Sequence, residues 1–431
     1  MPLDSRAAAA TVVGSVLGGR SLDRALPSAL ELVAQRDRSF VQQLCYGTLR
    51  QAPRLQGLLE QLLDRPLRDR DRDLHGLLLV GLYQLTDTRV PDHAAVAATV
   101  AATRTLQKHW ARGLANAVLR RFLRERNALV AALDPAAANA HPDWLYQRLR
   151  EQWPDHLPAI VEAGNGQPPM TLRVNTLRQP REAYLARLAE CGLAATPGAL
   201  ADTAVYLADA VDVDALPGFA EGAVSVQDEA AQLAADLVGA GPGERVLDAC
   251  SAPGGKACHL LESQPALAEL VAMDIDETRL ARVRDNLKRL DQKATVIAAD
   301  AAAPPAELGA AGFDRILVDA PCSASGVLRR HPDIKLLRRE SDIPQLAARQ
   351  LDILRGLWPL LRPGGCLLYV TCSILEEENS AVIADFQRRH DNARIETPAV
   401  DWGEPVDGGR QLLPAAGGPD GLFYSLLRRT G

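Results

Sequence analysis

The chain has 431 residues, of which 47% are hydrophobic and 24% charged, a composition typical of a globular protein with two or three domains rather than a disordered or fibrous one. No run of about 20 apolar residues predicts a membrane span, and the N-terminus lacks the layout of a secretory signal, so we expect a cytoplasmic protein. Seven cysteines without a C-x-x-C pair or a Cys/His cluster predict neither a disulfide framework nor a metal site.

Charge is distributed unevenly along the chain, although the overall net charge is only −6. Residues 1–130 contain 19 basic and 12 acidic side chains, a net +7, whereas the remainder contains 29 basic and 42 acidic side chains, a net −13. A genome that prefers arginine codons would explain why 18 of the 19 N-terminal cations are arginine, but it would not explain the difference in sign. The asymmetry therefore favours an N-terminal module that faces a polyanion.

Apolar residues recur at helical spacing throughout the first part of the chain. The predicted helices are Ala7–Leu17, Leu26–Val33, Phe40–Leu63, Leu74–Leu85, Ala94–Leu106 and Leu114–Leu123. We expect an all-helical domain over residues 1–135, followed by a low-complexity joint at Asp134–Pro142.

Residues 142–222 mix helical and strand patterns, which indicates a small α+β domain. Helices are predicted at Trp144–Trp153 and Arg181–Cys191, and strands at Met170–Asn175 and Thr203–Leu207.

Short apolar runs alternate with amphipathic helices over residues 223–431, the pattern of a parallel sheet covered by helices on both faces. The predicted strands are Arg245–Ala249, Leu270–Met273, Ala294–Ala298, Phe313–Val318, Gly365–Thr371 and Gly421–Arg429. The predicted helices are Lys256–Glu262, Glu277–Leu290, Ile343–Leu361 and Glu377–Arg389. This third domain is of the α/β, Rossmann-like class.

A glycine-containing loop follows the first strand of this domain, where such sheets bind their ligands. It runs from Asp248 to Lys256 and lacks both the Walker A and the G-x-G-x-x-G spacing, so a pyrophosphate cradle is not expected. Carboxylates at the ends of the next two strands, Asp274 and Asp300, could accept hydrogen bonds from a ribose and meet an adenine edge. The pattern favours a ligand with ribose and base but no phosphate, such as S-adenosylmethionine.

The fourth and fifth strands end in Asp319-Ala-Pro-Cys322 and Thr371-Cys372-Ser373, so both cysteines are expected at the same sheet edge as the loop. A thiolate that adds to carbon 6 of cytosine activates carbon 5 for methylation, an acid near N3 stabilises the developing charge, and a second group handles the carbon 5 proton. These residues supply the required groups, but the sequence alone does not rank the two cysteines.

Five motifs in this order resemble the bacterial 16S rRNA cytosine-5 methyltransferases of the RsmB (Fmu/Sun) family. They are Asp248–Lys256, Asp274–Asp276, Asp319–Gly326, Arg329–Lys335 and Thr371–Ser373. Ser225–Ala231 matches the family's entry to the catalytic domain, and the helical N-terminus with Gly113–Arg120 looks like its NusB-type RNA-binding domain. The resemblance implies a class I methyltransferase domain preceded by an all-α NusB-like domain and a small α+β domain.

The resemblance also implies roles for individual residues. Cys372 would be the nucleophile, Cys322 would assist product release, and Asp319 would hold N3 of the cytosine. The methyl donor S-adenosylmethionine would be bound by Cys250, Ser251, Ala252, Pro253, Gly254, Gly255, Lys256, Asp274, Asp300 and Asp319. The expected partner is 16S rRNA, with no metal and no membrane, and the expected assembly state is a monomer.

A basic cluster, Arg329, Arg330 and Lys335, follows the Asp-Ala-Pro-Cys turn within an otherwise acidic domain. We expect these side chains to bind RNA phosphates. Three rival hypotheses remain open at this stage: a non-catalytic RNA-binding or assembly factor, a methyltransferase for amino groups of bases, and the same chemistry on tRNA. The two aligned cysteines argue against the first two.

Overall fold

The computed structural model describes residues 3–431 and divides into two compact units. The first comprises residues 3–166 together with Leu328–Glu340, and the second comprises Gln167–Val327 and Ser341–Gly431. In residues 3–431, each helix is either too short or too polar to cross a lipid bilayer.

Helices dominate the first unit and cover the sheets of the second. Within the described residues they are α1 (Ser5–Leu17), α2 (Leu22–Glu31), α3 (Arg38–Arg50), α4 (Ala52–Leu62), α5 (Arg72–Asp87), α6 (Asp92–Thr105), α7 (Arg112–Ala131), α8 (Pro135–Ala138), α9 (Asp143–Gln152), α10 (Leu157–Asn165), α11 (Arg181–Glu190), α12 (Glu229–Val238), α13 (Gly255–Ser263), α14 (Glu277–Leu290), α15 (Ile334–Leu337), α16 (Asp342–Leu357) and α17 (Ser380–Arg389).

All strands of the described residues belong to the second unit. They are β1 (Thr171–Val174), β2 (Ala195–Pro197), β3 (Ala204–Leu207), β4 (Val224–Val226), β5 (Arg245–Ala249), β6 (Glu269–Asp274), β7 (Thr295–Ala298), β8 (Phe313–Asp319), β9 (Leu361–Thr371), β10 (Ala393–Glu396), β11 (Glu404–Val406), β12 (Gly409–Leu412) and β13 (Leu422–Arg429).

Helices α1 and α5 pack closely in the first unit because both carry glycine where their backbones meet. A Cβ on Gly76 would lie 2.4 Å from the carbonyl oxygen of Ala10, and a Cβ on Gly14 would lie 2.7 Å from that of Arg72. The N-terminus of α1 is capped by Asp4, which accepts hydrogen bonds from two backbone amides of the first turn. The all-helical character predicted for this part of the chain is confirmed.

One local prediction for the first unit is wrong. The segment Phe40–Leu63 forms two helices rather than one, because the backbone leaves helical geometry at Gln51 and a new helix begins at Ala52 with Pro53 in its first turn. The predicted joint Asp134–Pro142 is ordered in the structure: Asp134 caps α8, and His141 is buried.

The second unit contains a four-stranded antiparallel sheet in the order β2-β3-β1-β4. The predicted strands β1 and β3 and the helix α11 are confirmed. Strands β2 and β4, each three residues long, lacked a clear sequence pattern and were not predicted.

The larger sheet of this unit follows the order β7-β6-β5-β8-β9-β13-β12-β11, and β10 also pairs with β13. Strands β5 to β9 run parallel to one another, whereas β13 pairs antiparallel with β9 and β10 to β12 add further antiparallel pairs. The chain moves outward from β5 to β7 and then returns to β8 on the other side of β5, so the topological switch point lies between β5 and β8. Apolar clusters cover both faces, as the predicted strand-helix alternation requires.

The helix predicted at Ile343–Leu361 is shorter in the structure. It ends at Leu357, a short 3-10 turn at Trp358–Leu360 follows, and β9 already begins at Leu361. Pro359 cannot donate the backbone hydrogen bond that a continuing α-helix needs.

Candidate active site

A cavity of about 470 Å³ opens at the carboxyl ends of the parallel strands, next to the switch point. Its size is that of a small-molecule site. Six residues predicted from the sequence line it: Cys250, Ala252, Asp274, Asp319, Cys322 and Cys372. The fold thus brings residues from separate motifs to one wall.

The glycine-containing loop leaves β5 with backbone conformations that restrict which side chains it can carry. Cys250 has φ +61° and Gly254 has φ +96°, the region that favours glycine. A Cβ on Gly254 would also come within 3.1 Å of the Cα of Val283 in α14. The loop is held from the other side by Asp274, whose carboxylate accepts from the amide of Ala252 at 3.1 Å.

Asp248, the last-but-one residue of β5, is fully buried beneath this loop. Its Oδ2 accepts a hydrogen bond from the hydroxyl of Ser251 at 2.7 Å, and its Oδ1 has no hydrogen-bond partner in the described chain. Burial raises the pKa of Asp248 to about 7, because it outweighs the hydrogen bond from Ser251.

Lys256 and Asp319 form an ion pair beside the cavity, with Nζ and Oδ2 2.6 Å apart. Burial alone would lower the pKa of Lys256, but the adjacent carboxylate of Asp319 outweighs burial and raises it. The ammonium group is therefore firmly protonated next to the carboxylate that ends β8.

The thiols of Cys322 and Cys372 lie 3.3 Å apart, Sγ to Sγ. They approach each other because they follow neighbouring parallel strands, β8 and β9. The hydrogen bond with Cys372, together with burial, raises the pKa of Cys322 well above its ordinary value. Cys322 therefore keeps its proton at neutral pH.

The other predicted cofactor residues of the loop do not lie on the cavity wall. Ser251, Pro253, Gly254, Gly255 and Lys256 form the turn that supports the wall, and α13 starts at Gly255.

Asp300 also lies off the wall. It accepts a hydrogen bond from the amide of Ala302 and forms an ion pair with Arg349, which does line the cavity. This partner lowers the pKa of Asp300.

The cavity residues that sequence reasoning missed include two arginines, Arg279 and Arg349. Arg279 had a detectable signal, because it stands in the first turn of α14, where a cation opposes the helix dipole. Its guanidinium donates to the carbonyl of Ala252 at 2.7 Å and pairs with Asp274 at 3.7 Å. Arg349 lies in the middle of α16, and nothing in its local sequence distinguishes it from a surface residue.

Most of the basic cluster is buried rather than exposed. Arg329 and Lys335 are only 1% and 2% exposed and belong to the first unit, whereas Arg330 is partly exposed. Lys335 Nζ donates to the carbonyl oxygens of Arg50 and Ala140 and to the side chain of Asn165. The side chains of Arg329 and Lys335 therefore lie in the interior, and phosphate binding by this cluster stays a prediction.

The cavity walls suit the methyl donor that the sequence predicts. The carboxylates of Asp274 and Asp319 provide negative charge for a cationic ligand and acceptors for hydroxyl groups. Ile275, Ile353 and Ala301 provide an apolar surface for a flat base. The two carboxylates and the apolar surface together fit S-adenosylmethionine.

Comparison with known proteins identifies all three parts of the chain. Residues 237–428 match the family model described as 16S rRNA methyltransferase RsmB/F, residues 141–214 match the ferredoxin-like domain of RsmF/B-like methyltransferases, and residues 3–124 match the NusB family. These matches confirm the predicted fold classes, including the NusB-like domain.

Curated relatives are similar over almost their whole length. Ribosomal RNA small subunit methyltransferase B of Pseudomonas putida is 51% identical, with 99% of this chain and 98% of the relative covered. The protein of the same name from Vibrio cholerae is 46% identical, covering 99% and 98% respectively.

Solved structures show the same fold. The PH0851 structure covers all of both chains with a TM-score of 0.82 at 23% identity. A methyltransferase homologue from Pyrococcus horikoshii covers 69% of this chain and all of its own with a TM-score of 0.59 at 27% identity.

These findings confirm the family expected from the motifs, and with it S-adenosylmethionine as the methyl donor. The chain belongs to the RsmB/F family of 16S rRNA methyltransferases.

Proposed function

We propose that this methyltransferase methylates carbon 5 of a cytidine in 16S rRNA through a covalent bond between Cys372 and carbon 6 of the base. The observation that carries the proposal is the pair of thiols 3.3 Å apart on a cavity wall that also contains Asp319. Amino-group methylation needs no thiol, and a scaffold has no use for two thiols at this distance.

In the proposed reaction, the thiolate of Cys372 adds to carbon 6 and pushes electron density onto carbon 5. Asp319 holds N3 of the base, and the Lys256 ammonium, 2.6 Å from Asp319, offers positive charge and a proton where negative charge develops on the ring. When bound, S-adenosylmethionine supplies the methyl group as an electrophile. Carbon 5 then carries both its methyl group and its original proton.

Product release requires a base that removes the carbon 5 proton, and Cys322 can become that base because its pKa depends on the state of Cys372. The hydrogen bond to Cys372 is the first cause of the raised pKa of Cys322, and the charge of Cys372 adds to it. Once the sulfur of Cys372 is bonded to carbon 6, that charge is gone and the pKa of Cys322 falls. Cys322 can then lose its own proton to solvent, and the resulting thiolate takes the carbon 5 proton; the electrons of that C–H bond re-form the double bond between carbons 5 and 6, and Cys372 leaves as a thiolate.

We expect Cys372→Ala and Cys322→Ala to fail in different ways. With small-subunit rRNA and labelled S-adenosylmethionine, Cys372→Ala should give neither product nor a denaturant-resistant protein–RNA complex. Cys322→Ala should accumulate that complex, because attack proceeds but release does not. Cys191→Ala is a matched control, since Cys191 is exposed and does not line the cavity.

Two outcomes would contradict the proposal. If Cys372→Ala still forms 5-methylcytidine, Cys372 is not the nucleophile. If the wild-type protein methylates tRNA but no small-subunit rRNA, the chemistry stands and the substrate is wrong. The rRNA substrate rests on the curated relatives, which are named ribosomal RNA small subunit methyltransferase B.

A further inference from the structure

Glu378 is a fully buried carboxylate that the proposed reaction does not use. It lies in the 3-10 turn Glu376–Glu378, between the end of β9 and the start of α17. A buried charge is unfavourable unless hydrogen bonds compensate it. The partners of Glu378 therefore indicate why a carboxylate is kept at this position.

Each carboxylate oxygen of Glu378 accepts a hydrogen bond from one of the two cysteine loops. Oε1 accepts from the backbone amide of Ser323 at 2.7 Å, and Oε2 accepts from the hydroxyl of Ser373 at 2.6 Å. Ser323 directly follows Cys322, and Ser373 directly follows Cys372. The carboxylate of Glu378 thus binds the residue that directly follows each of the two cysteines.

Further hydrogen bonds fix this bridge in place. The side-chain amide of Gln350 in α16 donates to Oε1 of Glu378 at 3.1 Å and to the carbonyl of Pro321 at 3.0 Å. The hydroxyl oxygens of Ser323 and Ser373 are 3.2 Å apart. These donors together occupy both carboxylate oxygens of Glu378.

We propose that Glu378 is a positioning residue that sets the distance between the thiols of Cys322 and Cys372. The inference rests on the proposed function, because that distance matters only if both thiols act on one base. It assigns Glu378 to the release step, in which Cys322 must reach the proton on carbon 5 while Cys372 is bonded to carbon 6. Glu378 itself touches neither thiol and is not a catalytic residue.

Glu378→Gln is the sharpest variant, because it keeps the size of the side chain but replaces one of the two accepting oxygens with an NH2 group, which cannot accept a hydrogen bond. We expect kcat to fall about 10- to 100-fold, the range that a misplaced reacting group produces. The KM for rRNA and the Kd for S-adenosylmethionine should stay within about twofold. The denaturant-resistant protein–RNA complex should accumulate, as in a partial Cys322→Ala, because release is slowed more than attack.

Glu376→Gln is the matched control, since Glu376 is exposed in the same turn and loses the same charge. It should behave as the wild type in all four measurements. Should Glu378→Gln fail to bind S-adenosylmethionine, Ser373→Ala answers the same question, because it removes one arm of the bridge and leaves the carboxylate. That variant should also accumulate the complex.

Unchanged kcat in Glu378→Gln would overturn the inference, and so would a lower kcat without accumulation of the complex. The Cys322→Ala protein serves as the reference in the same experiment. If it traps RNA while Glu378→Gln does not, the proposed function survives and only the role of Glu378 is wrong. If neither Cys322→Ala nor the wild type ever acts on cytidine, the proposed function itself fails.

Discussion

Asp248 sits at the end of the first strand of the site with its carboxyl group fully buried, and its pKa is raised to about 7. An unfolded Asp has a pKa of about 3.9, so the folded protein holds this proton more tightly. The stability from this group is therefore fully present below about pH 4 and is lost as the pH rises through about 7. Ionising Asp248 works against folding.

We expect Asp248→Asn, which cannot ionise, to gain stability relative to the wild type as the pH rises from about 5 to about 8. Urea unfolding of both proteins at several pH values measures the difference. Asp300→Asn is the control, because Arg349 lowers the pKa of Asp300 and keeps it ionised throughout this range. A difference between Asp248→Asn and wild type that does not change with pH would show that Asp248 is already ionised in the folded protein.

At the scale of elements, one buried arginine ties the small sheet to the cofactor loop within the second unit. Arg173 on β1 is 1% exposed and binds Glu262 of α13 through two hydrogen bonds of 2.9 and 2.7 Å. It also donates to the carbonyl of Gly255 at 2.7 Å, at the start of α13. Through Arg173, the small sheet therefore stabilises the turn that leads into α13 and supports the cavity wall.

We expect Arg173→Met to destabilise the protein by about 3–5 kcal/mol, because it leaves the carboxylate of Glu262 buried without its partner. Adding Glu262→Gln should restore most of that loss. S-adenosylmethionine should bind more weakly to Arg173→Met, since Gly255 loses a donor that orients the loop. Urea unfolding and calorimetric titration measure the two effects.

The control for this prediction is Arg181→Met in the same small domain. Arg181 pairs at 3.5 Å with Glu182, whose side chain is 75% exposed, and donates long hydrogen bonds of 3.3 and 3.4 Å to the carbonyls of Gly198 and Ala201, so the loss should be only about 1 kcal/mol. Equal losses in Arg173→Met and Arg181→Met would mean that the buried pair contributes no more than a surface pair.

The parallel strands could be predicted because each is a continuous apolar run between turn signals, and their order follows from the rules for such sheets. Strands β10 to β12 escaped prediction because they are short and form by pairing with β13 or with one another. The break at Gln51 separates two helices that share one apolar periodicity, so only Pro53 marked it. Long elements with a clear apolar periodicity could thus be predicted from the sequence. Short edge strands and the break between α3 and α4 could not, because they depend on contacts made in the folded protein.

The site was predictable as an edge of the sheet but not as a set of interatomic distances. Strand order places Cys322 and Cys372, 50 residues apart, at neighbouring strand ends, yet only the structure gives their separation. The run Glu376-Glu377-Glu378 gives no sign that its last member is the buried one. The buried lysine at position 335 reads as a surface cation for the same reason, since local sequence does not report burial.

At the scale of the whole molecule, the chain leaves the catalytic unit directly after the cysteine loop and passes through the N-terminal unit as Leu328–Glu340. In that segment, Asp333 accepts a hydrogen bond at 3.0 Å from the amide of Leu22, at the start of α2. Lys335 Nζ donates to the carbonyl oxygen at the end of α3, and burial lowers the pKa of this lysine well below its ordinary value. The segment is thus anchored in this unit by its own charged residues.

The basic residues of this unit are thus of two kinds: buried ones that bind protein atoms, such as Lys335, and exposed ones that are accessible to RNA. The salt dependence of rRNA affinity distinguishes the two. Removing one phosphate-binding cation should reduce the slope of log affinity against log salt by about 0.7 to 0.9. Arg112, Arg120 and Arg124 are exposed on α7, and their triple substitution by Gln should therefore lower both the affinity and the slope. Lys335→Met should leave the slope unchanged and instead destabilise the protein, because three buried or partly buried oxygens lose their donor. A lower slope in Lys335→Met with unchanged stability would mean that Lys335 binds RNA phosphate. An unchanged slope in the triple variant would mean that this face of α7 does not contact the RNA.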